Sequence, residues 1–126
     1  MRSAQRGKRT SVVEVTNVSP HGLRLLLGER ELFLPFDKFP WFREAPIAKL
    51  VRVELPSGAV LFREGDRSDH SFVIHKGTVA ISRAGTELAR RGPAEWIGEL
   101  SMIDPESPRS ATATAVTPVS LLQVQR

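Results

Sequence analysis

The stretch VRVELPSGAVLF, residues 51–62, decides the fold class of this chain. Between Val51 and Leu55 every second residue is apolar, and Arg52 and Glu54 occupy the positions between them. This two-residue period is typical of a strand that buries one face. A Pro-Ser-Gly turn and a second apolar run follow directly, so the stretch predicts two consecutive strands.

Short apolar runs of the same kind continue along the rest of the chain. Their regular spacing is typical of an all-β sandwich or barrel. The predicted strands lie at residues 51–55, 59–62, 72–75, 78–82, 86–89, 111–116 and 119–124. Residues 98–103 (GELSMI) break the pattern, because Leu100 and Ile103 are three apart among good helix formers. We therefore predict one or two helical turns inserted between strands at this point.

The N-terminal part predicts a smaller unit that is also rich in strands. Residues 11–18 (SVVEVTNV) are rich in β-branched residues and predict a strand, with a turn at residues 19–22. Residues 23–36 then predict a hairpin, because Gly-Glu-Arg interrupts two apolar runs. Residues 44–50 predict a short helix with proline in its first turn.

Composition excludes several classes of protein. The 126 residues are 40% hydrophobic, which is sufficient for a folded core. The chain has no cysteine, which excludes disulfides, thiolate metal ligands and a cysteine nucleophile. It has no apolar run near the ~18 residues of a transmembrane helix and no apolar stretch after its N-terminal charges. We therefore expect a cytoplasmic protein without a membrane partner.

The positive charge of the chain is concentrated at its N-terminus. The formal net charge is +4, and Arg2, Arg6, Lys8 and Arg9 lie in a segment that contains no acid. The remainder carries equal numbers of basic and acidic side chains. We predict that residues 1–10 form a disordered basic tail, and no recognition helix or interleaved aromatic residues follow that would indicate a DNA-binding element.

Residues around the predicted inserted helix form a candidate anion site. A helix N-terminus attracts anions, and Gly98 there lets a ligand approach the backbone. Arg109 offers a forked donor to a phosphate and Ser110 a hydroxyl group, whereas Glu99 suits the hydroxyl group of a sugar. On spacing alone, a surface ion pair between Glu99 and Arg109 stays open as the alternative.

Four motif blocks resemble the cyclic nucleotide-binding domain shared by bacterial catabolite-activator-type regulators and regulatory subunits of cyclic-AMP-dependent kinases. The resemblance covers residues 51–126, and the blocks are GAVLFREGD at 58–66, FVIHKG at 72–77, WIGELSMI at 96–103 and PRSATATA at 108–115. It implies a jelly-roll β-barrel. It also implies a phosphate-binding cassette formed by the last two blocks.

By this resemblance, Glu99 matches the acid on the ribose 2′-hydroxyl group and Arg109 matches the arginine on the cyclic phosphate. Ser110 matches a small residue that also faces the phosphate, and backbone groups near the two blocks match the remaining contacts. The implied ligand is cyclic AMP or cyclic GMP, with no cofactor, no metal and no catalytic residue. The predicted ligand-binding residues are Gly98, Glu99, Leu100, Ser101, Arg109, Ser110 and Ala111.

The chain departs from this family at two places. Ala94 occupies a turn position where the family often has glycine. The sequence stops at Arg126, where family members continue into a helix that covers the base, so we expect a pocket without its C-terminal lid helix. The lid would then come from a second copy in a homodimer or from a partner chain.

A second resemblance covers residues 11–55. The segments VTNVSPHG at 15–22, LFLPF at 32–36 and FPWF at 39–42 resemble a small bacterial domain family of unknown function. The predicted fold is therefore a mainly β jelly roll preceded by a small strand-rich α+β unit. The predicted domains are a tail at 1–10, the small unit at 11–50 and the jelly roll at 51–126.

Two functions remain as alternatives. The first is a non-catalytic module that binds a cyclic nucleotide, most simply cyclic AMP. The second is an interaction or scaffold module whose pocket is empty and whose N-terminal hairpin pairs with another chain through an exposed edge. An enzyme is not expected, because the sequence shows neither a nucleophile–base pair nor a metal set.

Overall fold

The structure is a computed structural model that describes residues 9–27, 29–39, 50–67, 70–98 and 106–125. These residues form strands and turns and contain no helix. The strands are β1 (Arg9–Val12), β2 (Glu14–Ser19), β3 (Gly22–Leu27), β4 (Arg30–Pro35), β5 (Leu50–Leu55), β6 (Val60–Phe62), β7 (His70–Lys76), β8 (Val79–Arg83), β9 (Thr86–Arg91), β10 (Trp96–Ile97), β11 (Thr112–Ala115) and β12 (Val119–Gln125).

The strands form three antiparallel sheets. A central sheet has the order β1-β5-β12-β7-β10, and an outer sheet has the order β6-β11-β8-β9. Strands β2, β3 and β4 form a third, N-terminal sheet. The central and outer sheets together make the jelly roll, which confirms the predicted fold class.

The central sheet is buried on both faces. Leu121 and Ile74 belong to a cluster shared with the outer sheet, which includes Ala113 of β11. The adjacent residue Leu122 belongs instead to a cluster that includes Leu25 of the N-terminal sheet. Since successive side chains of a strand point to opposite faces, the N-terminal sheet and the outer sheet pack on opposite sides of the central one.

The predicted hairpin at residues 23–36 forms, and so does the predicted turn at residues 19–22. Ser19 pairs with Gly22 across the turn between β2 and β3, and Leu27 pairs with Arg30 between β3 and β4. In β3 every second side chain from Leu23 to Leu27 is buried, as the alternation of a half-buried strand requires.

Several predicted boundaries are wrong. The single strand predicted for residues 11–18 is divided at Val13 into β1 and β2, because β1 pairs with β5 of the central sheet while β2 pairs with β3. Strand β1 begins at Arg9, so residues 9 and 10 form a strand where a tail was expected. Leu50 begins β5, and β10 was not predicted.

Both predicted helices lie mostly outside the described residues, as do residues 1–8 of the predicted tail. None of the described residues forms a helix long and apolar enough to cross a membrane.

Candidate functional site

A cavity of about 160 Å³ lies where β10 and the segment before β11 meet. Strands of both jelly-roll sheets contribute to its wall. The lining residues are Phe62, Ile81, Arg91, Trp96, Ile97, Gly98, Ser107, Pro108, Arg109, Ser110 and Ala111.

Arg109 brings a buried positive charge to this cavity, with 6% of its surface exposed. Its Nη2 donates to the carbonyl oxygen of His70 at 2.6 Å, and its Nη1 donates to that of Gly98 at 3.3 Å. The guanidinium carbon lies 4.1 Å from the centroid of the Phe62 ring, a cation–π contact. Because arginine stays protonated at physiological pH, this wall attracts an anion.

A turn after β6 fixes the backbone on both sides of the Arg109 side chain. The Arg109 N–H donates to the Asp66 carbonyl oxygen at 2.7 Å, and the Gly65 N–H donates to the Arg109 carbonyl oxygen at 2.8 Å. The Glu64 N–H donates to Thr112 Oγ1 at 2.9 Å, which ties the same turn to β11. The backbone of Arg109 is therefore held on both sides by main-chain hydrogen bonds, and its guanidinium group is held separately by the carbonyl oxygens of His70 and Gly98.

The end of β8 and the turn that follows it hold the backbone of Ser110, the residue after Arg109. Arg83 Nε donates to the Ser110 carbonyl oxygen at 2.9 Å. The Ala84 N–H donates to Glu64 Oε1 at 3.0 Å, which connects this turn to the one that holds Arg109. These exposed polar contacts fix the direction of the Ser110 backbone more than they add stability.

Gly98 in the cavity wall and Ala94, four residues before it, both adopt the left-handed backbone conformation. Gly98 has φ of 72°, and a Cβ atom built on it would lie 2.5 Å from Arg109 Nη1. Glycine thus allows the guanidinium group to approach the main chain. Ala94 has φ of 69° where the family often has glycine, and its N–H donates to the Ile74 carbonyl oxygen at 2.8 Å.

The structure brings four of the predicted ligand-binding residues to this one cavity: Gly98, Arg109, Ser110 and Ala111. The other three lie outside the described residues: Glu99, Leu100 and Ser101. Ligand binding by all seven stays a prediction.

Sequence reasoning assigned no site role to several lining residues, most clearly Phe62, Arg91 and Trp96. Trp96 comes two residues before the glycine that approaches Arg109, and this aromatic position was the available signal. Phe62 and Arg91 reach the cavity from β6 and β9, and their contribution depends on how the outer sheet folds over the site. That arrangement is not encoded in a local pattern.

The described lining offers positive charge, hydroxyl groups, backbone groups and apolar surface. It contains no His, Asp, Glu or Cys side chain. Among the residues that the structure describes, no group of three or more such side chains could hold a metal ion. This part of the wall therefore suits the binding of an anion with an apolar portion.

Residues 52–126, more than half of the chain, match the family described as Cyclic nucleotide-binding domain. The chain belongs to the cyclic nucleotide-binding domain family. The matched range begins within β5 and includes every described residue that lines the cavity.

Relatives of this cyclic nucleotide-binding domain include a transcriptional regulator and a potassium channel. A CRP-like cAMP-activated global transcriptional regulator of Mycobacterium tuberculosis is 35% identical over 83 residues, which are 62% of this chain and 37% of the regulator. A cyclic nucleotide-gated potassium channel of Mesorhizobium japonicum is 36% identical over 92 residues, 68% of this chain and 25% of the channel. The match thus spans well under half of either relative.

The solved N-terminal domain of a transcriptional regulator from Streptomyces coelicolor A3(2) has the same fold. It superposes with a TM-score of 0.60 at 38% identity, covering 73% of this chain and 64% of that chain. The catabolite activator protein of Thermus thermophilus superposes with a TM-score of 0.55 at 34% identity, covering 60% of this chain and 37% of that chain.

Residues 12–66 match a second family, described as Protein of unknown function (DUF2442), as the second resemblance predicts. The two matches overlap at residues 52–66. This overlap contains most of β5, which pairs with β1 on one side and β12 on the other. The shared segment therefore includes most of the strand through which β1 joins the jelly roll.

Proposed function

We propose that this chain is a non-catalytic sensor module that binds a cyclic nucleotide, cyclic AMP or cyclic GMP, in the cavity beside β10. The observation that carries the proposal is the convergence of Arg109 and Gly98 with the Ser110 and Ala111 segment around one cavity. A buried guanidinium group beside an approachable backbone suits a singly charged cyclic phosphate. The regulators and channels to which the chain is similar support the same ligand class.

Arg109 is the proposed phosphate ligand. A charge-assisted hydrogen bond in a partly enclosed site contributes about 1.5–3 kcal/mol, so Arg109→Ala should weaken binding about 10- to 100-fold. Arg109→Lys should restore little, because an ammonium group cannot fork across two oxygens. Arg90→Ala is the matched control, since Arg90 is exposed and pairs with Glu87 away from the cavity.

Glu99 is the proposed ribose ligand. Glu99→Ala should weaken binding of cyclic AMP but hardly change binding of 2′-deoxy cyclic AMP. The analogue already lacks the 2′-hydroxyl group that would donate a hydrogen bond to the Glu99 carboxylate. Calorimetric titration of both ligands into both proteins measures this coupling. Equal losses for the two ligands, or an unimpaired Arg109→Lys, would reject the assigned roles.

The absence of catalysis is part of the proposal. It is supported by the regulators and channels to which the chain is similar. Incubation of the protein with cyclic AMP, followed by chromatography, should recover the ligand unchanged. Production of 5′-AMP above the level given by Arg109→Ala would contradict a purely binding function.

The alternative function, an interaction or scaffold module, predicts that the chain binds no cyclic nucleotide. It has support from the exposed apolar residues Val18 and Phe33 on β2 and β4, the edge strands of the N-terminal sheet. A dimer or complex in light scattering, together with no thermal shift in cyclic nucleotide, would favour it.

A further inference from the structure

One aromatic residue belongs both to the cavity wall and to the N-terminal core. Trp96 lines the cavity, and it also packs against the cluster formed by the N-terminal sheet and the central sheet. Its partner there is Phe39, with ring centroids 5.5 Å apart and ring planes tilted by 53°. Phe39 is 4% exposed and follows β4, so the contact links the N-terminal unit directly to the cavity.

The strand that carries Trp96 is short, so side-chain packing contributes to its position alongside its backbone hydrogen bonds. Strand β10 has two residues and lies at the edge of the central sheet. It pairs with β7 through Trp96↔Val73 and Ile97↔Phe72. Backbone hydrogen bonds join Ala94 and Glu95 to Ile74 and hold the start of this segment, and the packing of the two β10 side chains holds the short strand that follows.

The two side chains of β10 pack into different cores. Trp96 packs against the N-terminal cluster, whereas Ile97 belongs to the jelly-roll cluster. The next residue is Gly98, whose carbonyl oxygen accepts from Arg109 Nη1. A displacement of Trp96 would therefore be transmitted within two residues to a hydrogen-bond partner of the Arg109 guanidinium group.

We propose that the N-terminal sheet regulates the cavity through the Phe39–Trp96 contact, with both aromatic residues acting as positioning residues. This inference rests on the proposed function for its ligand. A partner that changes the packing of the N-terminal sheet therefore changes the affinity for the nucleotide. By linkage, nucleotide binding changes the packing equilibrium of that sheet by the same factor, which hydrogen exchange measures as protection.

The first test needs no ligand. Hydrogen exchange followed by mass spectrometry is compared for Phe39→Ala and Leu27→Ala. Leu27 is the matched control because it is 3% exposed in the same cluster but lies on β3. Relative to Leu27→Ala, Phe39→Ala should exchange about tenfold faster at residues 94–98 and 106–111. Equal exchange in the two variants would overturn the inference, and Phe39→Leu replaces Phe39→Ala if that variant does not fold.

The second test measures affinity. The chain has two tryptophans, so a Trp41→Phe background leaves Trp96 as its only tryptophan reporter. Cyclic AMP is titrated into this parent and into the same two variants. Phe39→Ala should weaken binding about fivefold or more, whereas Leu27→Ala should stay within about twofold of the parent.

The two tests separate the two proposals. If the parent binds neither cyclic AMP nor cyclic GMP at millimolar concentration, the proposed function fails, and the exchange experiment still decides whether Phe39 positions β10. If the parent and both variants bind with equal affinity, the proposed function stands and the coupling is rejected.

Discussion

The contact between Gly98 and Arg109 shows how one missing side chain determines the geometry of the cavity. The guanidinium group occupies space that a Cβ atom on residue 98 would need. The same glycine has a positive φ, which an L-residue adopts at a cost of about 1–2 kcal/mol. Two independent restraints therefore select glycine at this position.

Gly98→Ala should weaken cyclic nucleotide binding at least tenfold, because the new methyl group displaces the arginine as well as straining the backbone. Gly58→Ala is the matched control, since Gly58 has φ of 87° but nothing within 4 Å of an added Cβ atom. Calorimetric titration should find the control close to the unsubstituted chain in affinity. Similar losses in both variants would show that backbone strain alone is responsible.

His75 gives the protein a pH dependence that is separate from the cavity. Burial lowers the pKa of this imidazole below its ordinary value of 6.5, and the charges of Lys76, Arg52 and Arg30 lower it further. Its Nδ1 atom is buried without a hydrogen-bond partner among the described residues. The native state therefore favours neutral His75.

The free energy of unfolding should fall as the pH drops below 6.5 and level off once the pH passes the lowered native pKa. In this window the unfolded chain binds a proton that the native chain rejects. His75→Gln should remove that part of the pH dependence. Urea unfolding at pH 8 and pH 5.5 measures it, and identical pH dependence in both proteins would contradict the assignment.

At the scale of elements, β3 carries the packing of the N-terminal sheet onto the central one. Its side chains Leu23 and Leu25 are 0% exposed, and they belong to the same cluster as Leu122 of β12. The sheet is therefore stabilised by long-range contacts more than by its own two tight turns. Isolated hairpins of this size are at best marginally stable.

Leu25→Ala should lower the free energy of unfolding by about 2–5 kcal/mol, the usual cost of a cavity in a packed core. Leu88→Ala is the matched control, because Leu88 is 55% exposed on β9 and should change stability by less than about 0.5 kcal/mol. Urea denaturation checks both values. A small effect at Leu25 would mean that the N-terminal sheet does not share its core with the jelly roll.

Local periodicity was sufficient to predict most strands but not their association. The alternation in residues 51–55 identifies the more buried face of that strand, and Val53 and Leu55 on this face are buried as expected. By contrast, residues 71–74 and 119–122 are each buried at four consecutive positions. Such continuous burial arises when a strand is covered on both faces. Which sheet covers the second face is a non-local property, so the sequence alone did not predict it.

The candidate site also combines residues that local patterns predicted with a contact that depends on the tertiary fold. Residue types and the family resemblance predicted Arg109 and Gly98 for one phosphate site, because such a site needs a charged fork and an approachable backbone, and both residues line the same cavity. The role of Trp96 depends on Phe39, which is distant in sequence and reaches it only after the N-terminal sheet has packed. No pattern within either segment encodes that contact.

The molecule as a whole has three layers of sheet with the central sheet in the middle, and the proposed nucleotide cavity lies beside an edge strand of that central sheet. The central sheet connects the two matched regions, since most of β5 lies in both matches and β12 lies in the cyclic nucleotide-binding match. One chain therefore contains both a proposed ligand site and an N-terminal sheet that packs on the other face of the same central sheet.

The most direct test of this account is calorimetric titration of the purified chain with cyclic AMP, and with cyclic GMP in the same buffer. We predict saturable binding of at least one of them with one site per chain, and no measurable binding of 5′-AMP under the same conditions. No heat of binding for either cyclic nucleotide at millimolar concentration, with no change in melting temperature, would contradict the proposal that this domain is a cyclic nucleotide sensor.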